Sequence, residues 1–370
     1  MSPPAGAEFS SVQISHQKLP AIHHPTQRVL CTMVAKLGFY SNAAQALREA
    51  DLTGKTAIVT GGNSGLGAET VRVLASAGAD VILCSRNVAA GQEVADSIAA
   101  GLADGTQPRA AAAPGAITVV QLDLADLQSV EAFAKHAAVA RLPAIHLLVL
   151  NAGIMGLPTK QLTAQGFEAQ WGTNHVGHQH LTQLLLPKMK AQGAPARVVA
   201  LSSYGHNFAK ELPLDDLNWE RRKYGAWPSY GQAKLSNALF ARELARRMEE
   251  DGVPIKAYSV HPGFINTALS RNMSGATVLQ RVFSTLAAVP GLLGAVGAKT
   301  IPQGAATTVF ACVAPELESR SGEYLADCQV GSDVPGIWGR RFCAPSKLAR
   351  DGELARSLWE QTEKMIQAAL

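Results

Sequence analysis

Between residues 55 and 330 the chain alternates short, near-continuous apolar runs with longer amphipathic stretches. Lys55–Thr60, Asp80–Cys84, Ile117–Leu122, Ile145–Leu150, Arg197–Leu201, Ile255–Val260 and Tyr324–Ala326 each read as a strand. Runs that are apolar at nearly every position, instead of every second one, belong to strands covered on both faces. Helical stretches lie between them. One runs from a glycine-rich segment through Leu74, a second covers residues 87–100, and another opens at Tyr230 with Leu235, Leu239, Leu244 and Met248 on one face. Residues 101–116, rich in Ala, Gly and Pro, read as an exposed loop. Parallel neighbours need crossover helices, and these are right-handed. The pattern therefore predicts an α/β protein over residues 51–330, a doubly wound parallel sheet of about seven strands with helices on both faces. Residues 1–50 form an N-terminal arm. Residues 331–370 form a tail that ends in a helix over 353–369, with Leu354, Leu358, Met365 and Ile366 apolar.

Composition narrows the classes. Hydrophobic residues make up 47% and charged residues 17% of 370 residues, a balance that excludes wholesale disorder. The net charge is +4, but the basic residues are dispersed, with only short clusters at Arg221-Arg222-Lys223 and Arg340-Arg341. That argues against nucleic acid as a partner. The five cysteines form no C-x-x-C pair and their number is odd, which argues against a disulfide framework or a zinc site and favours a reducing compartment. Cys84 and Cys312, in apolar runs, read as small buried hydrophobes. The longest uncharged stretch, Val282–Ala298, is broken by Pro290 and falls short of the ~18 apolar residues of a membrane span. It suits peripheral membrane contact or a lid over 264–300. The first 35 residues carry one acid, Glu8, and are compatible with an organelle transit peptide or with a loose arm. Chloroplast or another organelle thus stands beside cytoplasm as the location.

The candidate chemistry begins after the first strand. Thr60-Gly61-Gly62-Asn63-Ser64-Gly65-Leu66-Gly67 follows the pattern T-G-x-x-x-G-x-G. Gly61 permits a tight turn, Gly65 a close backbone approach to a pyrophosphate, and Gly67 close helix–strand packing. Asn63, Ser64 and Leu66 complete the loop, and the following helix would present its N–H groups and positive dipole end to the phosphates. At the end of the second strand, where an acid would bind the ribose 2′-hydroxyl of NAD, stand Ser85 and Arg86. A guanidinium suits a 2′-phosphate, so NADP(H) is the predicted cofactor. Asp123, after the third strand, suits the adenine amino group, the N-cap of the next helix, or both. Asn151-Ala152-Gly153 is a small-residue turn that would let backbone lie against the cofactor.

Tyr230 and Lys234 are spaced i, i+4, which puts phenol and ammonium on one helix face. A fixed cation beside a phenol stabilises phenolate and lowers the tyrosine pKa, making a general acid/base. Ser202-Ser203 ends the fifth strand, Asn174 lies in the preceding helix, and Pro262-Gly263 and Thr267 follow the sixth strand. His175, His178 and His180 lie in one helix at a spacing unsuited to a metal. Trp219, Tyr224 and Trp227 suit either an apolar substrate mouth or loop anchoring.

In this order the motifs resemble the short-chain dehydrogenase/reductase family, over essentially all of residues 51–330. Asn174–His178, Ser202–His206, Tyr230–Asn237 and His261–Gly263 are similar to retinol-dehydrogenase-like members. Ile301–Thr308 and Ser321–Tyr324 resemble WW-domain-containing oxidoreductases and a chloroplast-envelope short-chain dehydrogenase linked to protein import. The chain has neither WW modules nor the N-terminal span of membrane retinol dehydrogenases. The resemblance implies a Rossmann-type fold and a catalytic set of Asn174, Ser203, Tyr230 and Lys234. Within that set, Ser203 orients the substrate oxygen, Tyr230 transfers the proton, Lys234 holds the nicotinamide ribose and Asn174 supports a water-linked relay. It implies an NADP(H)-dependent oxidoreductase of a lipophilic alcohol, aldehyde or ketone. The alternative is an NADP(H)-binding redox-sensing or scaffold subunit of a larger complex with little turnover, docked through the N-terminal arm and C-terminal helix; a homo-oligomer or a complex subunit is the expected assembly on either reading.

Overall fold

The computed structural model describes residues 36–265 and 298–370. The first 35 residues, Cys31, Thr267 and nearly all of the segment expected to form a lid lie outside the described residues. In chain order the principal elements are α1 (Ala43–Leu47), β1 (Thr56–Thr60), α2 (Gly65–Ser76), β2 (Asp80–Ser85), α3 (Val88–Ala103), β3 (Ile117–Gln121), α4 (Leu127–Lys135) and β4 (Leu147–Leu150). Helix α5 starts at Ala169–Trp171, passes through a π-helical turn at Gly172–Val176 and continues as Gly177–Ala191. Then come β5 (Ala196–Leu201), α6 (Ala226–Glu250), β6 (Ile255–His261), β7 (Phe264–Ile265), β8 (Ala298–Lys299), α7 (Ile301–Val313), β9 (Tyr324–Ala326), β10 (Gln329–Val330) and α8 (Gly352–Ala369).

The main sheet runs β10-β9-β6-β5-β4-β1-β2-β3. Seven strands are parallel, and the eighth, β10, pairs antiparallel with β9 at the edge. The expectation of about seven strands missed only this two-residue edge strand, too short to show a hydrophobic pattern. Strands β7 and β8 form a separate parallel pair, Phe264 opposite Ala298.

Successive strand residues point to opposite faces, and both faces are buried. Val59, Leu83, Val149 and Val199 join the core beneath α2, α3 and α7, which contributes Val71, Leu74, Ile98, Val309 and Phe310. Their neighbours Ile58, Ile82, Leu148 and Val198 join the opposite core with Phe133 of α4, Leu181 of α5 and Leu244 of α6. This double coverage is why the strands read as continuous apolar runs. Strand order reverses between β1 and β4, both starting from the middle of the sheet. In this topology a crevice opens there at the carboxyl ends of the strands.

Residues 37–50, assigned from the sequence to the arm, include α1, whose capping box at Asn42 and Gln45 fixes its start; Arg48 pairs with Glu316 at 2.8 Å. Helix α3 runs three residues beyond the expected 100, into the segment read as a loop. At the other end, α8 is capped by Asp351, which accepts from Leu354 N–H. Its apolar stripe, Ala355, Leu358 and Ile366, shares a core with Leu235 and Leu239 of α6. Trp359 stacks on Phe240 of α6 at 5.4 Å between ring centroids. Leu358 is 1% exposed. Leu358→Ala should therefore lower the unfolding free energy by about 3 kcal/mol, read as a lower denaturant midpoint at unchanged slope. A loss under about 1 kcal/mol would show that α8 contributes little to the fold.

Candidate active site

The glycine-rich loop is shaped by close backbone contact. Gly61 (φ +64°) and Gly65 (φ +53°) occupy the left-handed region. A Cβ on Gly67 would lie 2.2 Å from the Gly61 carbonyl oxygen and 2.5 Å from Asn151 Nδ2, so the first turn of α2 can sit this close only as glycine. Ser64 is the N-cap of α2, yet its side chain caps no N–H, whereas Asn87, Asp126 and Asp351 cap α3, α4 and α8. The first-turn N–H groups of α2 are thus left for an anion, as a dinucleotide pyrophosphate requires. Gly62 N–H donates to the Cys84 carbonyl, tying the loop to the end of β2. Asn63 lies in the loop beside it and Leu66 in the first turn of α2, both half-buried.

The fully buried hydroxyl of Thr60 joins the loop to the turn after β4. It accepts from Asn151 N–H at 2.9 Å and Ala152 N–H at 3.0 Å. His178 Nδ1 faces the Asn174 carbonyl at 2.9 Å and so carries the ring proton, which leaves Nε2, 2.9 Å from Thr60 Oγ1, to accept the threonine proton, with the Val149 carbonyl at 3.4 Å a longer second acceptor. Burial holds this imidazole neutral, its pKa pushed down to about 4. Asn151 Nδ2 donates to the Thr60 carbonyl at 2.7 Å, completing the link.

Asn174 sits in the π-helical turn of α5. Its Oδ1 accepts from Ile154 N–H at 2.7 Å and its Nδ2 donates to the Ile154 carbonyl at 2.9 Å. The side chain thereby clamps the backbone just beyond Asn151-Ala152-Gly153. A Cβ on Gly153 would lie 3.1 Å from Asn174 Oδ1 and 3.6 Å from Lys234 Nζ, so three of the singled-out residues converge here.

Ser203, Tyr230 and Lys234 meet at the ends of β4 and β5. The two serines divide their roles: Ser202 Oγ donates to the Lys234 carbonyl at 2.7 Å, while Ser203 Oγ accepts from Gly205 N–H at 3.0 Å. Lys234 is buried and donates from Nζ to the Leu201 carbonyl at 2.9 Å; its Nζ lies 5.8 Å from the Tyr230 ring centroid. Tyr230 lies in the second turn of α6, since the helix begins four residues earlier than expected.

The electrostatics correct one expectation. Lys234 was expected to depress the Tyr230 pKa, but burial dominates and pushes the phenol up to about 12, with the Ser203 hydrogen bond opposing it. Burial also pulls the Lys234 ammonium down to about 8. Both shifts have the same cause, a dry pocket that disfavours either charged form. At neutral pH Tyr230 is a proton donor and Lys234 a cation.

The remaining predicted residues are placed as follows. Arg86 is exposed, one residue beyond the end of β2 and two beyond Cys84, which holds the loop. Ser85 turns inward and donates to the Asn87 carbonyl at 2.7 Å. Asp123 does not cap α4; Asp126 does, accepting from Gln128 N–H, while Asp123 accepts from Ala125 N–H at 2.9 Å in a tight turn. Pro262-Gly263 leads from β6 to β7, with Gly263 at φ +92° and Lys299 against it. Among the described residues no group of acidic, His or Cys side chains is arranged to hold a metal. His175 instead packs between Trp171 and Phe240.

Trp219 and Tyr224 are anchors: Arg222 stacks on Trp219 at 4.0 Å, and Tyr224 OH donates to the Leu157 carbonyl. Trp227 is different. It is 40% exposed and packs edge-on against Tyr230 at 6.3 Å and Phe208 at 5.7 Å. Phe208 continues to Tyr204, and Tyr204 to Phe264 and Phe342, giving a run of aromatic rings that leads away from the Tyr230 phenol. Sequence reading missed Phe208, Phe264 and Phe342, whose proximity comes from three separate segments. It also missed Gly205. A Cβ there would lie 2.7 Å from Tyr230 Cε1, and a Cβ on Gly231 would lie 2.9 Å from the Gly205 carbonyl oxygen. The repeated glycine in Tyr204-Gly205 and Tyr230-Gly231 was the available signal.

The residues present fit a nicotinamide dinucleotide: α2 starts without a side-chain cap behind its glycine loop, and Gly153 brings the turn after β4 against the buried Lys234. Gly67→Ala should weaken dinucleotide binding by at least about a hundredfold while the chain stays folded, measured by calorimetric titration. Unchanged affinity would show that the loop does not hold the phosphates.

Comparison with known proteins agrees with this geometry. Residues 55–212 match the family model described as short chain dehydrogenase. The chain is 36% identical to short-chain dehydrogenase TIC 32 A, chloroplastic, of Brassica napus, over 90% of this chain and 94% of that one. It is 38% identical to human retinol dehydrogenase 12, over 85% of this chain and 87% of that one. Among solved structures, an uncharacterized protein from Mycobacterium paratuberculosis superposes with a TM-score of 0.63 at 31% identity, covering 87% of this chain and 97% of that one. The chain belongs to the short-chain dehydrogenase/reductase family, as a nicotinamide-dependent oxidoreductase of the branch that includes retinol dehydrogenases and TIC 32.

Proposed function

We propose that the protein is an NADP(H)-dependent oxidoreductase that interconverts a lipophilic alcohol with its aldehyde or ketone. The observation that carries this reading is the buried group of Ser203, Tyr230 and Lys234 beside Gly153, opening onto the aromatic run from Trp227 to Phe342. Bound nicotinamide supplies or accepts the hydride. In the reducing direction Tyr230, with its pKa near 12, donates its phenolic proton to the developing alkoxide. Ser203 Oγ accepts from Gly205 N–H and its proton, which serves the Tyr230 phenol here, would turn to the reacting oxygen and orient the carbonyl when substrate is bound. Lys234, positive at neutral pH, favours the negative charge that builds on that oxygen and would hold the ribose hydroxyls. Asn174 acts through Ile154 by fixing the backbone next to Gly153. The apolar mouth excludes water and favours a lipophilic substrate over a sugar or amino acid.

Retention of Asn174, Ser203, Tyr230 and Lys234 in contact-forming positions favours catalysis over a scaffold without turnover. With NADPH and a panel of lipophilic aldehydes and ketones, Tyr230→Phe should reduce kcat by about 10²–10⁴ while cofactor affinity stays within about twofold. Wild-type turnover in the variant would overturn the assignment of Tyr230.

The cofactor preference rests on Arg86, which is exposed next to the loop and has no carboxylate partner among the described residues. A guanidinium contributes about 1.5–3 kcal/mol to a charged hydrogen bond, so Arg86→Ala should weaken NADPH binding about 10- to 100-fold and leave NADH binding nearly unchanged. Tighter binding of NADH than NADPH by the unmodified chain would contradict the preference.

A further inference from the structure

The C-terminal tail reaches the catalytic serine through a buried histidine. Ser203 is the N-cap of the short turn Tyr204–Phe208, and its carbonyl accepts both His206 N–H at 3.0 Å and the ring Nδ1 proton at 2.6 Å. The other ring nitrogen, Nε2, accepts from Ser346 N–H at 3.0 Å. These two partners are backbone groups with fixed roles, a carbonyl and an N–H, so a single neutral tautomer satisfies them, and the Tyr324 hydroxyl lies 3.4 Å from Nδ1 beside the carbonyl. His206 is 0% exposed, and Tyr324 of β9 packs against its ring. The tail that supplies Ser346 is itself wedged in place. Phe342 meets the Tyr204 ring at 5.4 Å, Cys343 Sγ donates to Asp327 Oδ2 at 3.4 Å, and a Cβ on Gly331 would lie 2.2 Å from the Cys343 carbonyl oxygen. The two residues that flank Gly205, Tyr204 and His206, therefore both rest on the tail. Gly205 is the residue whose N–H holds Ser203 Oγ.

We infer that His206 is a positioning residue that couples the docked tail, through Ser346, to the placement of Ser203. The tail beyond the last strand is then part of the active-site scaffold, not an appendage. The inference deepens the proposed oxidoreductase reading and rests on it for its kinetic consequence. Asparagine at this position retains a short donor for the Ser203 carbonyl but cannot also reach the Ser346 N–H.

The test uses the full chain, in His206→Asn, Ser203→Ala and the double variant. Steady-state rates with NADPH and a lipophilic carbonyl should show kcat lowered about tenfold by His206→Asn with the cofactor KM within about twofold, and little further loss when Ser203 is already alanine. Additive losses would overturn the coupling. Hydrogen exchange by mass spectrometry gives a readout independent of turnover. His206→Asn should speed exchange in 203–208 and 342–346 together while leaving 61–67 unchanged. Faster exchange in 342–346 alone, with 203–208 unchanged, would also overturn it. A wild-type chain without turnover would refute the proposed function, while the exchange experiment would still decide the coupling.

Discussion

The site depends first on the Thr60 hydroxyl. It ends β1 in the middle of the sheet, and its hydrogen-bonding capacity is used in full: two N–H donors from the Asn151-Ala152 turn, and its own proton given to His178. Through His178 it reaches the Asn174 carbonyl in the π-helical turn. One buried oxygen thus fixes the phosphate loop, the turn after β4 and the helix that carries Asn174. Valine at this position would match the shape but orphan two N–H groups and an imidazole nitrogen in a dry interior. Each unsatisfied buried group costs about 1–3 kcal/mol, so the change is far from conservative.

The same economy of charge recurs around the site. His178, His206 and His261 are all buried, and each accepts at one ring nitrogen from a fixed donor: Thr60, Ser346, and Tyr204 N–H. A neutral imidazole can accept at one nitrogen and donate at the other, as His178 does between Thr60 and the Asn174 carbonyl and His206 does between Ser346 N–H and the Ser203 carbonyl, and it avoids the cost of a buried charge. The consequence is a pH limit with a definite sign. His178 and His206 have pKa values pushed down to about 4 from 6.5 by burial. As pH falls below 6.5 the unfolded chain takes up protons before the native one does. The stability they support is fully present above 6.5 and is lost as pH falls towards 4. The groups proposed for the chemistry lie at the other end of the scale, a phenol and an ammonium that the same desolvation pushes towards their neutral forms.

The sequence was most legible where the chain obeys a repeating rule. Apolar runs at nearly every position reported strands buried on both faces, and the order of Gly61–Gly67, Asn151–Gly153, Ser203 and Tyr230–Lys234 along the chain pointed to the family to which the chain belongs. Local competition was harder to read. Asp123 and Asp126 are equally plausible caps by type, and only the geometry of the turn decides for Asp126. The pKa of Tyr230 was misjudged because i, i+4 spacing shows proximity to Lys234 and says nothing of how dry both groups are. The Ser203–His206–Ser346 link was invisible for a different reason. Its last contact spans 140 residues and ends on a backbone N–H, which has no side-chain signature.

That distinction separates the two halves of the site. The groups proposed for the reaction come from strand ends and from helices packed on the sheet, where the fold holds them whatever the substrate. The rings that lead away from Tyr230 come from elsewhere: Tyr204 and Phe208 from a single turn, Trp227 from the start of α6, Phe264 from a two-residue strand and Phe342 from the tail. Apart from α6, these are short segments with no period of their own, lying outside the central parallel strands. Yet Tyr204 directly follows Ser203 and Trp227 packs against Tyr230, so the mouth and the chemistry share neighbouring residues. On the proposed reading, a change in the tail that moves Phe342 would act on the substrate wall and, through Ser346 and His206, on the serine. Selectivity and rate are for that reason expected to vary together when the tail is altered.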